Sequence, residues 1–198
     1  IERMYMQDFV HLHVHTQYSL LDGQASVSRL VDKAMKDGMK GIAVTDHGNM
    51  FGIKEFTNYV NKKNSGPKGE IKDLKKRIAG IESGEIECED KEAEIADCRA
   101  KMAEAESKLF KPIVGCEMYV ARRTMDKKEG KPDQSGYHLI VLAKNEKGYH
   151  NLIKLVSHAW TRGYYMRPRT DRSELEKYHE GLIVCSACIG GEVPKKII

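Results

Sequence analysis

Apolar and polar residues alternate along this 198-residue chain in a way that predicts strands separated by helices. Short apolar runs predict strands at residues 9–15, 41–46, 112–121, 137–143 and 181–188. Apolar residues at helical spacing predict helices at 26–36, 53–61, 147–160 and 173–179. Because apolar strands that alternate with helices usually pair in parallel with both faces covered, the pattern predicts an α/β protein with a parallel sheet.

Residues 61–111 interrupt this rhythm with a different pattern. Apolar residues recur there every three or four positions in two series, namely Ile71, Leu74, Ile78 and Ile81, then Ile95, Cys98, Met102, Ala105 and Leu109. Lys, Glu and Asp fill most of the positions between them. Two narrow apolar seams joined by the turn-like ESGEIECED predict an antiparallel helical hairpin, with a solvated spacer or protein-contact arm as its simplest role.

Composition narrows the class of protein only modestly. The net charge of +4 permits a nucleic-acid partner without requiring one. No apolar run is long enough for a membrane span, and the five scattered cysteines fit a reducing cytoplasm. The final residues, GGEVPKKII, read as a loop that leads into another helix, so we expect a fragment of a longer polypeptide.

The segment HLHVH places three histidines at alternate positions. Residues two apart on a strand point the same way, so His11, His13 and His15 are predicted to share a face, with Leu12 and Val14 on the other. A single buried histidine is commonly a satisfied core residue. Two neighbouring imidazoles cannot both be protonated without repulsion, and a metal ion that binds both neutral rings removes this conflict.

Other side chains of metal-ligand type stand near the ends of the predicted strands. They are Asp22 in the loop SLLDG, Asp46 and His47 after the second strand, Glu117 in the third, His138 in the fourth and Cys188 at the end of the fifth. The carboxyl ends of parallel strands meet at one edge, so these groups are expected to converge there. His138, early in its strand, fits this rule poorly.

The mixture of nitrogen, oxygen and sulfur ligands favours zinc, with manganese or iron as alternatives, over magnesium or calcium. A structural zinc site at Cys185 and Cys188 has weak support because no second C-x-x-C occurs. The sequence contains no G-x-S-x-G, G-x-G-x-x-G or Walker-type loop. Arg167 and Arg169, interleaved with tyrosines in GYYMRPRTDR, are weak candidates for binding phosphates beside stacked bases, and an exposed basic loop is the commoner explanation.

Five segments in order resemble the PHP (polymerase and histidinol phosphatase) domain family. They are HLHVHTQYSLLDG, AVTDHGNMFG, KPIVGCEMYVA, YHLIVLAKNEKGYHNL and GLIVCSACIGGEV. The similarity is greatest to the form at the amino terminus of bacterial DNA polymerase III alpha subunits, and it covers the chain apart from about 61–111. The resemblance implies that residues 1–198 are a fragment of a distorted (β/α)7 barrel, truncated before its last units, with 61–111 as a helical-hairpin insertion.

The resemblance also implies up to three divalent ions. His13 and His15 match the first-ion pair, and Glu117 matches the bridging carboxylate. The second-ion ligands match His138 and Cys188, and the third-ion ligands match Asp22 and His47. The family's late Asp-x-His motif does not occur before Ile198, so the first and third ions each lack one ligand within this chain.

The function implied is metal-dependent phosphoester hydrolysis, including 3′–5′ exonuclease proofreading, within a DNA-directed DNA polymerase, which is a nucleotidyltransferase. In this reading water activated by the ions attacks phosphorus, and Asp46 supports a ligand histidine without acting as a separate base. The implied partners are DNA, other polymerase subunits and the remainder of the polymerase chain. The alternatives are a catalytically silent scaffold and a small-molecule phosphatase of the histidinol-phosphate type.

Overall fold

A computed structural model describes residues 9–20 and 22–198. The chain divides into two compact units. One contains the described residues up to Phe56 together with Pro112–Ile198, and the other is Thr57–Lys111. Within the described residues, no helix is both long and apolar enough to cross a membrane.

The first unit has an α/β architecture. Its early elements are α1 (Val27–Lys36), β1 (Gly41–Val44) and the start of α2 (Ile53–Lys63). Its later elements are β2 (Lys111–Ala121), a short 3₁₀ turn (Lys131–Asp133), β3 (Gly136–Ala143), α5 (Glu146–Thr161), β4 (Arg169–Thr170), α6 (Arg172–Tyr178), β5 (Leu182–Cys185) and α7 (Glu192–Ile197). All four helices predicted for this unit are confirmed within a few residues, whereas β4 was not predicted.

The histidine-rich segment does not form the predicted strand, although it lies beside β1. The amides of Ala43 and Thr45 donate to the carbonyls of His11 and Val14, each at 2.9 Å. The donors are two residues apart but the acceptors are three apart, so one extra residue breaks the alternation of side chains. Leu12 is consequently 43% exposed and is not part of the core.

The sheet is mixed, so the prediction of a parallel sheet was wrong. Its order is β1-β2-β3-β5, with β4 beside β2. β3 runs antiparallel to both β2 and β5, while β4 runs parallel to β2. An apolar strand is buried on both faces. Such burial is common in parallel sheets, but it does not determine the direction of the strand.

Alternation along β2 and β3 gives the sheet two different faces. An apolar cluster between the sheet and α5 contains Cys116, Met118, Val141, Leu152, Leu155, Val156 and Ala159. A smaller cluster of Ala43, Ile140 and Leu142 occupies the opposite face. Because Glu117 and His138 alternate with residues of the first cluster, they belong to the second face, beyond its apolar part.

The second unit contains the predicted pair of helices, α3 (Ser65–Ser83) and α4 (Lys91–Ser107), which pack on each other. Gly84, with a left-handed φ of +82°, ends α3, and the Asp90 side chain caps α4 by accepting from the amide of Ala93 at 3.0 Å. Ile81, Cys98 and Ala105 of the predicted seams are fully buried. The status of 61–111 as an insertion stays a prediction.

Candidate metal centre

A single buried carboxylate, that of Glu117 on β2, lies at the middle of the site. Its side chain is 1% exposed. One carboxylate oxygen lies 2.8 Å from His13 Nε2 and 2.9 Å from His15 Nε2. The other oxygen lies 2.7 Å from His138 Nδ1. Three imidazoles from two distant parts of the chain therefore meet on one acidic group.

Strand direction explains how His138 reaches this site. In the antiparallel pairing of β2 with β3, Glu117 is opposite Ile140 and Tyr119 is opposite His138. The beginning of β3 thus lies beside the carboxyl-terminal half of β2. Glu117 and His138 become diagonal neighbours on one face, which is close enough for long side chains to touch. The position that fitted a parallel sheet poorly is natural in an antiparallel pair.

His47 and Asp22 form the next part of the cluster. His47 Nε2 lies 2.7 Å from Asp22 Oδ2, while the Asp22 side chain is 57% exposed. The other ring nitrogen, Nδ1 of His47, lies 3.4 Å from Glu117 Oε2, is buried and has no hydrogen-bond partner. A buried nitrogen without a partner is rare in folded proteins and calls for an explanation such as an ion.

Cys188 completes the set of predicted ligands, although it lies in the turn after β5 and not in the strand. Its Sγ is 3.9 Å from Glu117 Oε1 and 3.8 Å from His138 Nδ1. The amide of Gly190 donates to the same sulfur at 3.4 Å. His11, which was predicted to share a face with His13, packs edge-on against Phe9 with ring centroids 4.7 Å apart.

The loop after β1 directs His47 through a glycine. Gly48 has a φ of +61°, a left-handed conformation that favours glycine. A Cβ at this position would also lie 2.6 Å from Pro168 Cγ. The Gly48 amide donates to the carbonyl of Glu117 at 2.8 Å, so the turn that presents His47 is fastened to the strand that carries the carboxylate.

Asp46 lies beneath the cluster and supports it through Ser19. The Asp46 carboxylate accepts from the amide of Thr16 and from the hydroxyl of Ser19, both at 2.7 Å. Ser19 Oγ in turn lies 2.9 Å from His15 Nδ1. This chain of contacts orients the His15 ring with Nε2 towards Glu117. Sequence reasoning missed Ser19, because a serine four residues after a histidine carries no distinctive signal.

Tyr119 is a second residue that sequence reasoning missed. Its ring stacks on His47 with centroids 5.7 Å apart and meets His138 edge-on at 5.2 Å. The signal was available, because Tyr119 is two residues beyond Glu117 on the same strand and therefore shares its face. Tyr119 forms an aromatic wall behind two imidazoles.

The protonation states of Glu117 and His47 favour cation binding, whereas that of His15 opposes it because a cation must displace its proton. Burial would raise the pKa of Glu117, but the hydrogen bonds from His138, His15 and His13 lower it well below its ordinary range, so the group is an anion. The hydrogen bond with Glu117 raises the pKa of His15. Burial is the main cause that lowers the pKa of His47, which favours a neutral ring with a free lone pair.

The donor set fits divalent cations. Ligand atoms of His13, His15 and Glu117 lie within 4.8 Å of one another, and so do those of His47, Glu117 and His138. His13 Nε2 and His15 Nε2 are only 3.1 Å apart and face the same carboxylate oxygen. Imidazole nitrogens with a shared carboxylate are ligands that zinc and manganese accept, and the partnerless nitrogen of His47 gives a further lone pair.

The two arginines predicted to contact phosphate occupy different environments. Arg169 is fully buried, and its guanidinium donates to three backbone carbonyls at distances of 3.1, 2.9 and 3.0 Å. A guanidinium used in this way holds a loop and does not meet an external phosphate. Arg167 is exposed, with its guanidinium carbon 5.8 Å from the centroid of the Tyr119 ring, next to the cluster.

The comparisons with known proteins agree with one another. A family model described as the PHP domain matches residues 11–198. Among curated relatives, DNA polymerase III subunit alpha of Borreliella burgdorferi is 42% identical over 191 residues, 96% of this chain and 13% of that protein. The proteins of the same name from Treponema pallidum (38% over 192 residues; 96% and 13%) and Aquifex aeolicus (35% over 191 residues; 93% and 13%) are similar too. The chain spans 13% of the length of each of these relatives.

Proposed function

The chain belongs to the PHP domain family, and we propose that it is the phosphoester-hydrolysing domain of a DNA polymerase III alpha subunit. The observation that carries this proposal is the convergence of four imidazoles on the buried carboxylate of Glu117. The polymerase setting is supported by the names of the relatives. In that setting the partners are DNA, the remainder of a DNA-directed DNA polymerase chain and other polymerase subunits.

The proposal also covers the barrel to which the sheet belongs and the origin of the helical hairpin. We propose that the mixed sheet is part of the distorted (β/α)7 barrel of the family, and that residues 61–111 are a hairpin inserted into it. The placement of the ligand cluster on the sheet face opposite α5 supports the first statement. The compactness of Thr57–Lys111 as a unit of its own supports the second.

We assign the ligands to three neighbouring cation positions around Glu117. His13 and His15 with Glu117 would hold the first ion, and His138 and Cys188 with Glu117 the second. The third position would use His47 and Asp22, whose side chains lie 2.7 Å apart. Zinc or manganese suits these donors best, and iron is the remaining alternative.

When bound, such cations lower the pKa of a water molecule towards about 7 and neutralise phosphate oxygens. The chain's own residues prepare the site for this chemistry. Asp46 and Ser19 fix the orientation of the His15 ring. Arg167, exposed above Tyr119, would contact a phosphate of the substrate. The proposed hydrolysis uses no separate protein base.

The test is removal of nucleotides from a mismatched 3′ end in the presence of manganese or zinc. We expect His13→Ala combined with His15→Ala to abolish release, because both imidazoles of the first position are lost. His150→Ala is the matched control, since His150 is an exposed histidine on α5 whose ion-pair partner is Glu146. Undiminished release by the double variant, after contaminating nucleases have been removed, would contradict the proposal.

A scaffold without hydrolysis is the second candidate. It is favoured by the fact that both oxygens of Glu117 have imidazole partners within the chain itself. In that case chelation lowers the melting temperature, while the unmodified protein releases no nucleotide and hydrolyses no other phosphoester. None of the relatives named above carries the name of a small-molecule phosphatase.

A further inference from the structure

Three exposed aromatic rings form a row in the first unit, which we call the aromatic ladder: Phe51, Trp160 and Tyr164. The rings of Trp160 and Tyr164 are stacked, with centroids 5.7 Å apart and an interplanar angle of 20°. Phe51 follows on Trp160 at 6.0 Å with a tilt of 41°. Phe51 is 65% exposed, Trp160 41% and Tyr164 48%. Adjacent aromatic rings that remain open to solvent are typical of binding surfaces.

The ladder is attached directly to the candidate metal centre. The indole Nε1 of Trp160 donates to the carbonyl of Gly48 at 2.7 Å. Gly48 follows His47, and its amide is bonded to the backbone of Glu117. Trp160 is therefore hydrogen-bonded to the residue that follows a candidate ligand, which connects the ladder to the loop that presents His47.

The ladder is held in place by its own loop. The Asn49 side chain donates to the carbonyls of Tyr18 and His47, at 3.2 and 2.9 Å. Its carbonyl oxygen accepts from the amide of Phe51 at 3.1 Å. Phe51 thus projects into solvent from a backbone with fixed hydrogen bonds. A preorganised aromatic surface loses little entropy when a flat partner stacks on it.

Arg167 supplies a cation beside the candidate metal centre. Met166 has a φ of +62°, which is uncommon for a residue other than glycine. At this turn the amide of Tyr165 donates to the carbonyl of Arg167 at 3.0 Å. The guanidinium of Arg167 lies over Tyr119, the ring that stacks on His47. Backbone strain of this kind persists where the surrounding structure requires a particular side-chain position.

We infer that the aromatic ladder is a base-stacking subsite for single-stranded nucleic acid, with Arg167 holding the backbone phosphate that leads to the metal centre. This inference rests on the proposed function and adds the residues that hold the substrate. Flat, apolar rings and a cation that follows Tyr164 by three residues match the two parts of a nucleotide, the base and its phosphate. Stacking accepts any base, so the subsite selects an unpaired strand without reading its sequence.

The chain itself supplies the reporter for a test, because Trp160 is its single tryptophan. The probe is a fluorescein-labelled oligothymidylate, titrated in EDTA so that hydrolysis cannot interfere. We expect quenching of Trp160 fluorescence together with a rise in anisotropy. Phe51→Ala and Tyr164→Ala should each weaken binding by about tenfold or more. A duplex of the same length should bind more weakly, because its bases are already stacked.

Tyr149→Ala is the matched control, because Tyr149 is an exposed aromatic residue on α5, the helix that carries Trp160. It should bind like the unchanged protein. Equal binding by Phe51→Ala, Tyr164→Ala and Tyr149→Ala would overturn the inference. The inference would also be overturned if the ladder variants bound the oligonucleotide normally but changed the sedimentation of the protein. In that case the ladder contacts another protein surface.

The two proposals can fail separately. If the ladder variants lose oligonucleotide binding while His13→Ala with His15→Ala still releases nucleotides, the hydrolytic proposal fails and the subsite stands. If the histidine variant loses release while the ladder variants bind normally, the subsite fails and the hydrolytic proposal stands. Binding in EDTA is measured without catalysis, so neither result depends on the other.

Discussion

The candidate metal centre and the helical hairpin both concentrate charged residues, but they use them in opposite ways. At the centre, Glu117 is buried, and its partner His13 is 104 residues away in the sequence. In the hairpin the pairs lie at the surface, and some are local, as for Lys101 with Asp97, four residues apart with a contact of 2.6 Å. The centre therefore depends on the tertiary fold, whereas the pairs within a single helix need only that helix.

The energetic consequence follows from burial. An exposed ion pair contributes about 0.2–1 kcal/mol, because water screens the charges. Removing one partner of a buried pair costs roughly 3–5 kcal/mol, since a charge is left without compensation. The same kind of substitution should therefore have large effects at the centre and small ones in the hairpin.

The largest effect is expected from Glu117→Gln. The neutral amide removes the one negative charge that the imidazoles share, so we expect zinc affinity to fall by about 100-fold or more. Isothermal titration calorimetry on protein freed of metal with a chelator measures this directly. Glu94→Gln is the hairpin control, since Glu94 is an acidic residue paired only at the surface, with Arg77. Equal zinc affinity in both variants would show that Glu117 is not at the centre of a cation site.

A comparable effect, but on a different property, is expected from Ile81→Ala in the hairpin. Ile81 is fully buried on α3, so the cavity should lower the free energy of unfolding by about 2–5 kcal/mol. Urea unfolding followed by circular dichroism measures the loss. Zinc affinity should not change, because the hairpin supplies no ligand. Lys75→Ala, an exposed position on the same helix, serves as control and should alter stability by less than about 0.5 kcal/mol.

An intermediate effect is expected from Asp46→Asn. This change keeps the size of the side chain but weakens the hold of Ser19 on His15, and support of this kind is worth about 10–100-fold in metal affinity. Competition with a chromophoric chelator gives the affinity. Asp37→Asn, at an exposed carboxylate paired with Lys33, should leave affinity unchanged. If both aspartate variants bind zinc like the unchanged protein, Asp46 has no role in orienting the ligands.

The smallest effect is expected from Arg77→Ala in the hairpin. Arg77 contacts Glu94 at 2.6 Å, but both side chains are well exposed to solvent. The free energy of unfolding should fall by about 1 kcal/mol at most, and added salt should reduce the difference further. Urea unfolding at low and high ionic strength measures both. A loss of several kcal/mol would mean that the hairpin depends on its charges as the centre does.

The two regions also differ in how well their structures could be predicted. The hairpin helices followed from the spacing of residues such as Ile81 and Cys98, because helical contacts are local in sequence. Residue type indicated the predicted ligands at the centre, but the position of His138, early in its strand, did not fit a parallel sheet. The direction of a strand is set by its long-range partners, which apolar composition does not encode.

The histidine-rich segment shows the same limit on a smaller scale. Strict alternation predicted a strand over residues 9–15, but one extra residue beside β1 breaks that strand, and the His11 ring contacts Phe9. Similarly, Arg167 and Arg169 are two residues apart in the sequence, but Arg169 is buried, whereas Arg167 is exposed beside Tyr119. Residue type suggested the candidate side chains in both cases, while the neighbours in space decided which of them lie together.

The central claim, that Glu117 and its imidazoles hold divalent cations, is tested most directly by anomalous X-ray scattering from crystals grown with zinc or manganese. A peak is expected within about 2.0–2.2 Å of ligand atoms of His13, His15 and Glu117. A second peak is expected beside His138 and Cys188. Peaks confined to surface side chains, with none among these residues, would contradict the claim.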